Sequence, residues 1–220
     1  MKEPQQDRSR RSAQQILTAA VEMLTESGIA DFTMTGVSRS AGLSIGGVYG
    51  RFPNREALLR EVKDDVLTEL EEEVRSRAEA TPGDLRSTLT TLVTTLAEAL
   101  HTRSRLFAFV FLHSADDPAM RRRGFVFHER MKNLFRDALG RHGESISRDR
   151  TTAVDVLYEV VVQSLISRTI TEGSSPEGET TYAGIPHWRS YAAHVAEMSC
   201  LYLTIPTPVG APPGEDHDLH

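Results

Sequence analysis

Two short helices joined by a tight turn are predicted between Thr33 and Leu58, and no other stretch of the chain constrains its fold as strongly. Thr33 is suited to be a helix N-cap, and apolar residues follow it at helical spacing. Gly42 comes directly after the last periodic residue, where a left-handed backbone can turn the chain. Leu43 is expected to plug the space between the helices, and Ser44 to cap the second one. The pattern predicts a helix-turn-helix, whose exposed edge can enter the major groove of DNA.

The second helix is expected to run from Ile45 to about Arg51 and to pack inward through Val48 and Phe52. The residues left facing outward are Ser44, Ile45, Gly47, Tyr49 and Arg51. An apolar stripe upstream predicts a helix over residues 9–27 that ends at Gly28, and Asn54 is suited to cap a long fourth helix.

These positions together resemble the N-terminal signature of the tetracycline-repressor (TetR) family of bacterial transcriptional regulators. The matching positions are Ile16, Leu17, Gly28, Thr33, Val37, Ala41, Gly42, Leu43, Ser44, Gly46, Val48, Tyr49, Phe52, Glu56 and Leu58. The resemblance covers about the first quarter of the chain. It implies a regulator that binds an operator and is released from it by a small molecule.

The chain departs from the family pattern within the motif itself. Ile45 stands where lysine is common, Gly47 where threonine, serine or alanine is usual, and Gly50 and Arg51 replace a typical histidine and aromatic pair. Gly36 stands where an acidic residue often completes a capping box. The motif is retained, but these differences leave the base preference open.

The outward-facing residues define a predicted DNA interface. The residues expected to bind phosphates, two through larger side chains and three through hydroxyls, are Tyr49, Arg55, Thr33, Thr35 and Ser44. The residues expected nearest the base edges are Ile45, Gly47 and Arg51, with guanine as the candidate partner of Arg51. The N-terminal arginines Arg8, Arg10 and Arg11 are either further DNA contacts or part of a solvated start of the chain.

Length and composition predict an all-α chain with two helical domains and a tail. We place a helix-turn-helix DNA-binding domain at residues 8–53, a helical ligand-binding and dimerisation domain at 54–205 and a disordered tail at 206–220. The single cysteine, Cys200, excludes an internal disulfide, and its place in an apolar pattern favours packing over redox sensing. The longest apolar run, 106–112, is too short to span a membrane, so we expect a cytoplasmic protein without a membrane partner.

The net charge of −6 is compatible with DNA binding because the charge is unevenly distributed along the chain. Residues 1–60 carry eight basic and six acidic side chains, so this part is positive and the remainder carries −8. Because phosphate attraction is screened over about 8 Å at physiological salt, the distal negative charge has little effect on the DNA-binding end.

Six of the eight phenylalanines lie between Phe107 and Phe135, on two predicted helices. Such a cluster can line a cavity for an apolar or aromatic small molecule, although ordinary core packing explains the same residues. The predicted ligand-contacting residues are Phe107, Phe111, Phe125, Phe127, His128, Met131 and Tyr158.

The last two helices, predicted over 147–171 and 187–204, each carry two apolar stripes, which suits one face to the subunit core and the other to a partner. On the final helix Ala192, Ala196 and Ser199 allow close helix approach, so we predict a two-fold homodimer through this small-residue stripe. A monomeric bundle that buries both stripes is the alternative. The segment between these helices, 172–186, is predicted to be a mobile excursion.

No residue pattern predicts catalysis, a metal or a cofactor. His113, His128 and His142 fall on different helices without metal-ligand spacing. The run 121–123 of three arginines is typical of a solvated surface, but one of them could turn inward toward a ligand carboxylate.

The favoured function is a dimeric repressor that binds a palindromic operator and is released by a small apolar or aromatic ligand. One alternative is a DNA-binding regulator of the same fold that has no small-molecule inducer and is controlled by a protein or constitutive. An enzyme is the third hypothesis, and no nucleophile, metal or phosphate-loop pattern favours it. A measurable apolar cavity separates the first two hypotheses.

Overall fold

The computed structural model of the protein describes residues 5–113, 117–174 and 187–206. Over these ranges the chain is all-helical, as predicted, with nine α-helices and a short 3-10 turn. The helices are α1 (Gln5–Ser27), α2 (Met34–Ser40), α3 (Ile45–Tyr49), α4 (Arg55–Ala80), α5 (Leu85–Thr102), α6 (Ser104–Leu112), α7 (Pro118–Gly140), α8 (Arg150–Ser174) and α9 (Trp188–Thr204). None of the described helices has both the length and the apolar character needed to cross a membrane.

The N-terminal helices α1, α2 and α3 form a small head with the first turns of α4. Its core consists of apolar side chains that are fully buried: Ile16, Ala20, Leu24, Val37, Val48 and Leu58. The predicted caps are all present, because Thr33, Ser44 and Asn54 accept the backbone N–H of the residue three positions later at 3.0, 3.1 and 2.8 Å. Helix α1 begins at Gln5, four residues before the predicted start.

Helix α4 leaves the head and continues into a larger helical domain, where it packs against α7. Ion pairs join the two helices along their length. Arg60 lies 3.2 Å from Asp117 at the start of α7, and Arg123 of α7 pairs with Asp64 and, at 2.9 Å, with Glu71. Since Arg123 and Glu71 are mostly shielded from solvent, their pairing is less screened than a surface salt bridge.

The small-residue stripe of α9 packs inside the subunit, so its predicted role in the dimer is wrong. Ala192, Ala196 and Ser199 are buried within the single chain, and α9 packs most extensively against α5. The physical reason is that small side chains let α9 approach α5 closely. A stripe on one helix shows that this face is buried, but not which helix covers it.

The segment predicted as a mobile excursion over 172–186 begins with ordered residues. Glu172, Gly173 and Ser174 form the last turn of α8, so the prediction is wrong for these three residues. A Cβ at Gly173 would lie 2.2 Å from the backbone oxygen of Ser104, so glycine permits α8 to pass this close to α6. The remainder of the segment, 175–186, and the predicted tail from residue 207 onward lie outside the described residues.

Candidate functional site

The turn of the helix-turn-helix is held by glycine and a buried serine. Gly42 has φ +65°, the left-handed conformation expected from its position after α2. Ser38 fixes the turn twice: its backbone oxygen accepts from the Leu43 N–H at 3.1 Å, and its hydroxyl donates to the Leu43 oxygen at 2.7 Å. Leu43 is only half-buried but packs against the core. This role of Ser38 could not be predicted from the sequence, because serine is also common on exposed helix surfaces.

Helix α3 presents the predicted outward face to solvent. Ile45 and Tyr49 are 41% and 49% exposed, although apolar side chains of this size are usually covered. Val48 is fully buried and anchors the helix to the head. The hydroxyl oxygens of Thr33 and Ser44 accept the capping N–H groups, and a hydroxyl that accepts still has its own hydrogen to donate to a phosphate.

The two predicted arginine contacts have partners within the head. The Arg55 guanidinium donates to the backbone oxygens of Phe32 and Ile29 at 3.4 and 3.2 Å, and it lies over the Phe32 ring. Arg55 therefore ties the loop after α1 to the start of α4. Arg51 donates to the hydroxyl of Ser9 on α1. Since a guanidinium has five N–H donors, this bond leaves donors for DNA.

Gly36, which stands in place of the acidic residue of a capping box, lies close to Met23 of α1. A Cβ at this position would lie 2.4 Å from the terminal methyl carbon of Met23 and 3.0 Å from the Thr33 hydroxyl oxygen. A side chain at position 36 would therefore require the terminal methyl group of Met23 on α1 to move. Thr33 still caps α2 alone.

A pocket of about 390 Å³ lies within the larger domain, between α4, α6, α7 and α8. Its volume falls in the range of small-molecule sites. The lining residues are Lys63, Leu67, Val110, Phe111, Met120, Arg121, Gly124, Phe127, His128, Val162 and Ile166. A larger cleft of about 580 Å³ lies outside α4 and α7, but it is lined mainly by charged side chains and is less suited to an apolar ligand.

The structure brings some of the predicted ligand residues together and separates others. Phe111, Phe127 and His128 line the pocket. Phe107 stacks behind Phe111 with ring centroids 5.9 Å apart. Tyr158 is fully buried behind His128, 5.1 Å between ring centroids. These two residues form the layer behind the pocket wall.

Two predicted ligand residues lie elsewhere. Phe125 is 66% exposed and its assignment to the pocket is wrong, because two helical positions from Phe127 rotate it by about 200° to the other side of α7. Met131 is buried but lines the charged outer cleft.

A hydrogen-bonded group fixes one wall of the pocket. The Tyr158 hydroxyl donates to the His128 backbone oxygen at 3.0 Å, and the His128 Nε2 atom lies 2.9 Å from Glu159. Burial raises the pKa of Tyr158, with the charges of Glu159 and Glu129 acting in the same direction. Tyr158 therefore serves as a neutral donor that holds α7 to α8.

Lys63 is the most unusual of the lining residues that the sequence did not predict. It is 3% exposed, and a Cβ on Gly124 of α7 would lie 3.7 Å from its Nζ atom. The signal was present, because Lys63 falls in the buried stripe of α4 between Leu59 and Leu67. A lysine in such a stripe is an exception to ordinary burial and indicates a special environment.

The pocket and the head share two helices. α4 carries Leu58 in the head core and Leu67 in the pocket wall. α6 lines the pocket through Val110 and Phe111 and also packs on α1, where Arg105 donates to the Glu26 oxygen near the end of that helix. A change in the pocket can thus reach the head through both helices.

An apolar groove of about 470 Å³ runs along the outer surface between α8 and α9. Val160 and Met198 in this groove are 61% and 66% exposed. The other lining residues are Val156, Leu157, Val161, Ser164, Tyr191, Val195, Ser199 and Tyr202. On α9 the groove is lined mainly by the larger side chains Tyr191, Val195, Met198 and Tyr202, whereas Ala192 and Ala196 of the small-residue stripe do not line it.

A capped helix-turn-helix head on an all-helical domain defines a DNA-binding regulator. Residues 16–62 match the family described as bacterial regulatory proteins, tetR family. The matched residues include every position of the N-terminal signature that predicted this resemblance. Members are DNA-binding transcriptional regulators and not enzymes. No match was found among curated proteins.

Solved structures with the same fold cover nearly the whole chain. A protein assigned as a TetR-family regulator from Mesorhizobium loti is 18% identical, with a TM-score of 0.69 over 88% of this chain and 95% of its own. FadR from Bacillus subtilis in complex with stearoyl-CoA is 16% identical, with a TM-score of 0.64 over 87% and 97%. The ketosteroid regulator KstR2 of Mycobacterium tuberculosis is 18% identical, with a TM-score of 0.59 over 88% and 95%. At these identities the likeness shows the fold.

Proposed function

We propose that the protein is a dimeric repressor that binds a palindromic operator and is released when a small apolar ligand occupies the pocket between α4, α6, α7 and α8. The observation that carries this proposal is the pocket itself, because two of its four walls, α4 and α6, also pack on the head. A ligand that binds one arrangement of these helices more tightly changes the equilibrium between operator-competent and operator-incompetent forms.

The groove between α8 and α9 supports dimerisation through the two C-terminal helices. Exposed Val160 and Met198 form part of a contiguous apolar surface, and such surfaces on regulators are commonly covered by another protein. A second copy of the chain related by a two-fold axis places the same groove on both sides of the interface. It also sets two heads at a fixed separation, as a palindromic site requires.

The heads bind DNA through α3 and its flanking residues in this proposal. Tyr49, Thr35 and the capping hydroxyls lie on the exposed side of the head and are assigned to phosphates, with Ile45 and Arg51 nearest the bases. Arg55 is assigned to a phosphate in addition to its bonds within the head. A regulator of bacterial genes acts on the chromosome, so the protein works in the cytoplasm.

The apolar walls of the pocket support a ligand with a large apolar part. FadR from Bacillus subtilis holds stearoyl-CoA, which shows that a protein of this fold accommodates an acyl chain. The alternative is a regulator without an inducer, in which the pocket is an incidental space in the bundle.

Thermal-shift screening of apolar compounds followed by operator titration tests the proposal. We expect hits to lower operator affinity by about 5- to 150-fold. Gly124→Leu fills the pocket and should abolish this response while operator binding is retained, whereas Gly140→Leu, at the end of the same helix, should respond normally. Hits that bind at the pocket and leave operator affinity unchanged would favour the regulator without an inducer.

A further inference from the structure

Two of the polar side chains that line the pocket, Lys63 and Arg121, are cationic, while His128 lies 2.9 Å from the Glu159 carboxylate. Lys63, Arg121 and His128 are the ionisable residues among the described lining residues, and no Asp or Glu belongs to this lining. The remaining lining residues are mostly aliphatic or aromatic. A cavity with cationic groups on apolar walls raises the local preference for an anion, because low-dielectric walls strengthen the field of those groups.

Lys63 lies deepest among these groups. Its side chain is almost fully covered, and burial lowers its pKa to about 8, with the charge of Arg123 acting in the same direction and that of Asp117 opposing it. At neutral pH it is therefore still an ammonium ion held in an environment that disfavours its charge. A nearby anion offsets this cost.

The charged neighbours of Lys63 are engaged in other contacts. Asp117 accepts from the backbone N–H groups of Ala119 and Met120 at the start of α7 and pairs with Arg60. Arg123 is directed to the carboxylates of α4. An ammonium has three N–H donors, so Lys63 can keep its contacts within the protein and also donate to a ligand.

We propose that the ligand of this pocket is a carboxylic acid with an apolar body, whose carboxylate lies beside the Lys63 ammonium and whose body contacts Val110, Phe127 and Val162. The inference rests on the proposed ligand site and adds the chemical class of the ligand. Arg121, at the same pocket, supplies a second positive charge. A neutral analogue lacks the anion that the ammonium favours, and a cationic analogue is repelled.

Three probes of equal chain length test the class of ligand: decanoate, decan-1-ol and decylamine. Titration calorimetry of the wild-type protein at pH 7 should give decanoate an affinity about tenfold or more above that of decanol, with decylamine weakest. Gly124→Leu should weaken all three probes, which places them in the pocket. Equal binding of decanoate and decanol, tightest binding of decylamine, or no binding of decanoate would overturn the proposal.

Variants at position 63 test whether Lys63 binds the carboxylate. Lys63→Met should reduce decanoate affinity by about tenfold or more while decanol binding is kept or improved. Lys63→Arg should retain the preference for the acid. The matched control is Lys132→Met on α7, outside the pocket lining, which should change neither affinity. If decanoate binds Lys63→Met as tightly as wild type, the carboxylate lies elsewhere and the inference is wrong.

Operator titration with the same probes separates this inference from the proposed function. Decanoate that binds through Lys63 without weakening the operator complex supports the ligand class but contradicts release by ligand. A neutral compound that binds in the pocket and releases the operator, while decanoate does not bind, supports release but contradicts the acid.

Discussion

Gly42 and Gly46 lie four residues apart in the head, but their backbone conformations differ. Gly42 has a left-handed backbone, whereas Gly46 lies inside α3 with ordinary helical geometry. A Cβ at either position meets no atom within 4 Å. Steric contact therefore contributes at neither site, and substitutions there report backbone energetics alone.

The two alanine variants should consequently change stability in opposite directions. Gly42→Ala should lower the free energy of unfolding by about 1–2 kcal/mol, because alanine is strained at positive φ. Gly46→Ala should raise it by about 0.5–1 kcal/mol through helix propensity. Urea denaturation followed by circular dichroism measures both. A stabilising Gly42→Ala would show that the turn does not require its left-handed backbone.

Arg51 is the candidate for reading a base. Arg51→Ala should weaken operator binding by about 1–3 kcal/mol and relax the preference at one base pair in each half-site. Ser9→Ala is the control, because it removes the bond that holds Arg51 to α1 but keeps the guanidinium. If Arg51→Ala lowers the affinity for operator and for random DNA equally, Arg51 contacts only the DNA phosphates.

Lys63 should reduce the stability of the protein near neutral pH. Its pKa falls from 10.5 to about 8 on folding, which corresponds to about 3 kcal/mol. Between pH 8 and 10.5 the unfolded chain binds more protons at this lysine than the folded chain does, so stability rises with pH across that window. Below pH 8 the full cost remains.

Lys63→Met should therefore raise the free energy of unfolding at pH 7, with the advantage shrinking as pH approaches 10.5. Denaturant unfolding at pH 7 and pH 10 measures the difference, and Lys132→Met provides the background. A destabilised Lys63→Met, or a difference that does not vary with pH, would contradict this account of the buried ammonium.

At the scale of helices, sequence reasoning succeeded where local chemistry decides the structure. Thr33, Ser44 and Asn54 cap helices as predicted because capping depends on residues within three positions. It failed where a distant partner decides. Phe125 is a residue type that is usually buried, but its angular position on α7 places it in solvent. Ala196 is buried against another helix, and the pattern of α9 alone cannot identify that helix.

The pocket illustrates the same limit. The aromatic cluster indicated a cavity near Phe111 and Phe127, but the cavity also needs α4 and α8, which are distant in sequence. Lys63 was detectable only as a charged residue in a buried stripe. Its neighbour across the pocket, Gly124, follows from the packing of α7 against α4.

The exposed groove and the buried stripe of the C-terminal helices give a paired prediction. Val160→Glu places a charge in the groove, where it should dissociate the dimer and leave the monomer folded, since this side chain is 61% exposed. Ala196→Glu places a charge inside the subunit and should destabilise the fold itself by several kcal/mol. Light scattering and thermal unfolding together distinguish the two effects. A folded Val160→Glu dimer would move the interface to another surface.

At the scale of the whole molecule, the long helix α4 and the shorter α6 connect the ligand pocket to the DNA-binding head. Ion pairs of Arg60 and Arg123 hold α4 against α7, so a ligand that shifts α7 acts on a helix that begins in the head. In the proposed dimer, the groove between α8 and α9 is the surface through which two such subunits present their heads to one operator. The proposed function thus assigns DNA binding, ligand binding and dimerisation to different surfaces of one helical framework.

Affinity selection from random double-stranded DNA by the full-length protein tests the central claim most directly. Two heads related by a two-fold axis should enrich an inverted repeat, with half-site centres about one helical turn of DNA, or a multiple of it, apart. Sequencing of the selected pool gives both the symmetry and the spacing. A pool with no enriched sequence, or with a single unpaired half-site, would contradict a dimeric, sequence-specific regulator.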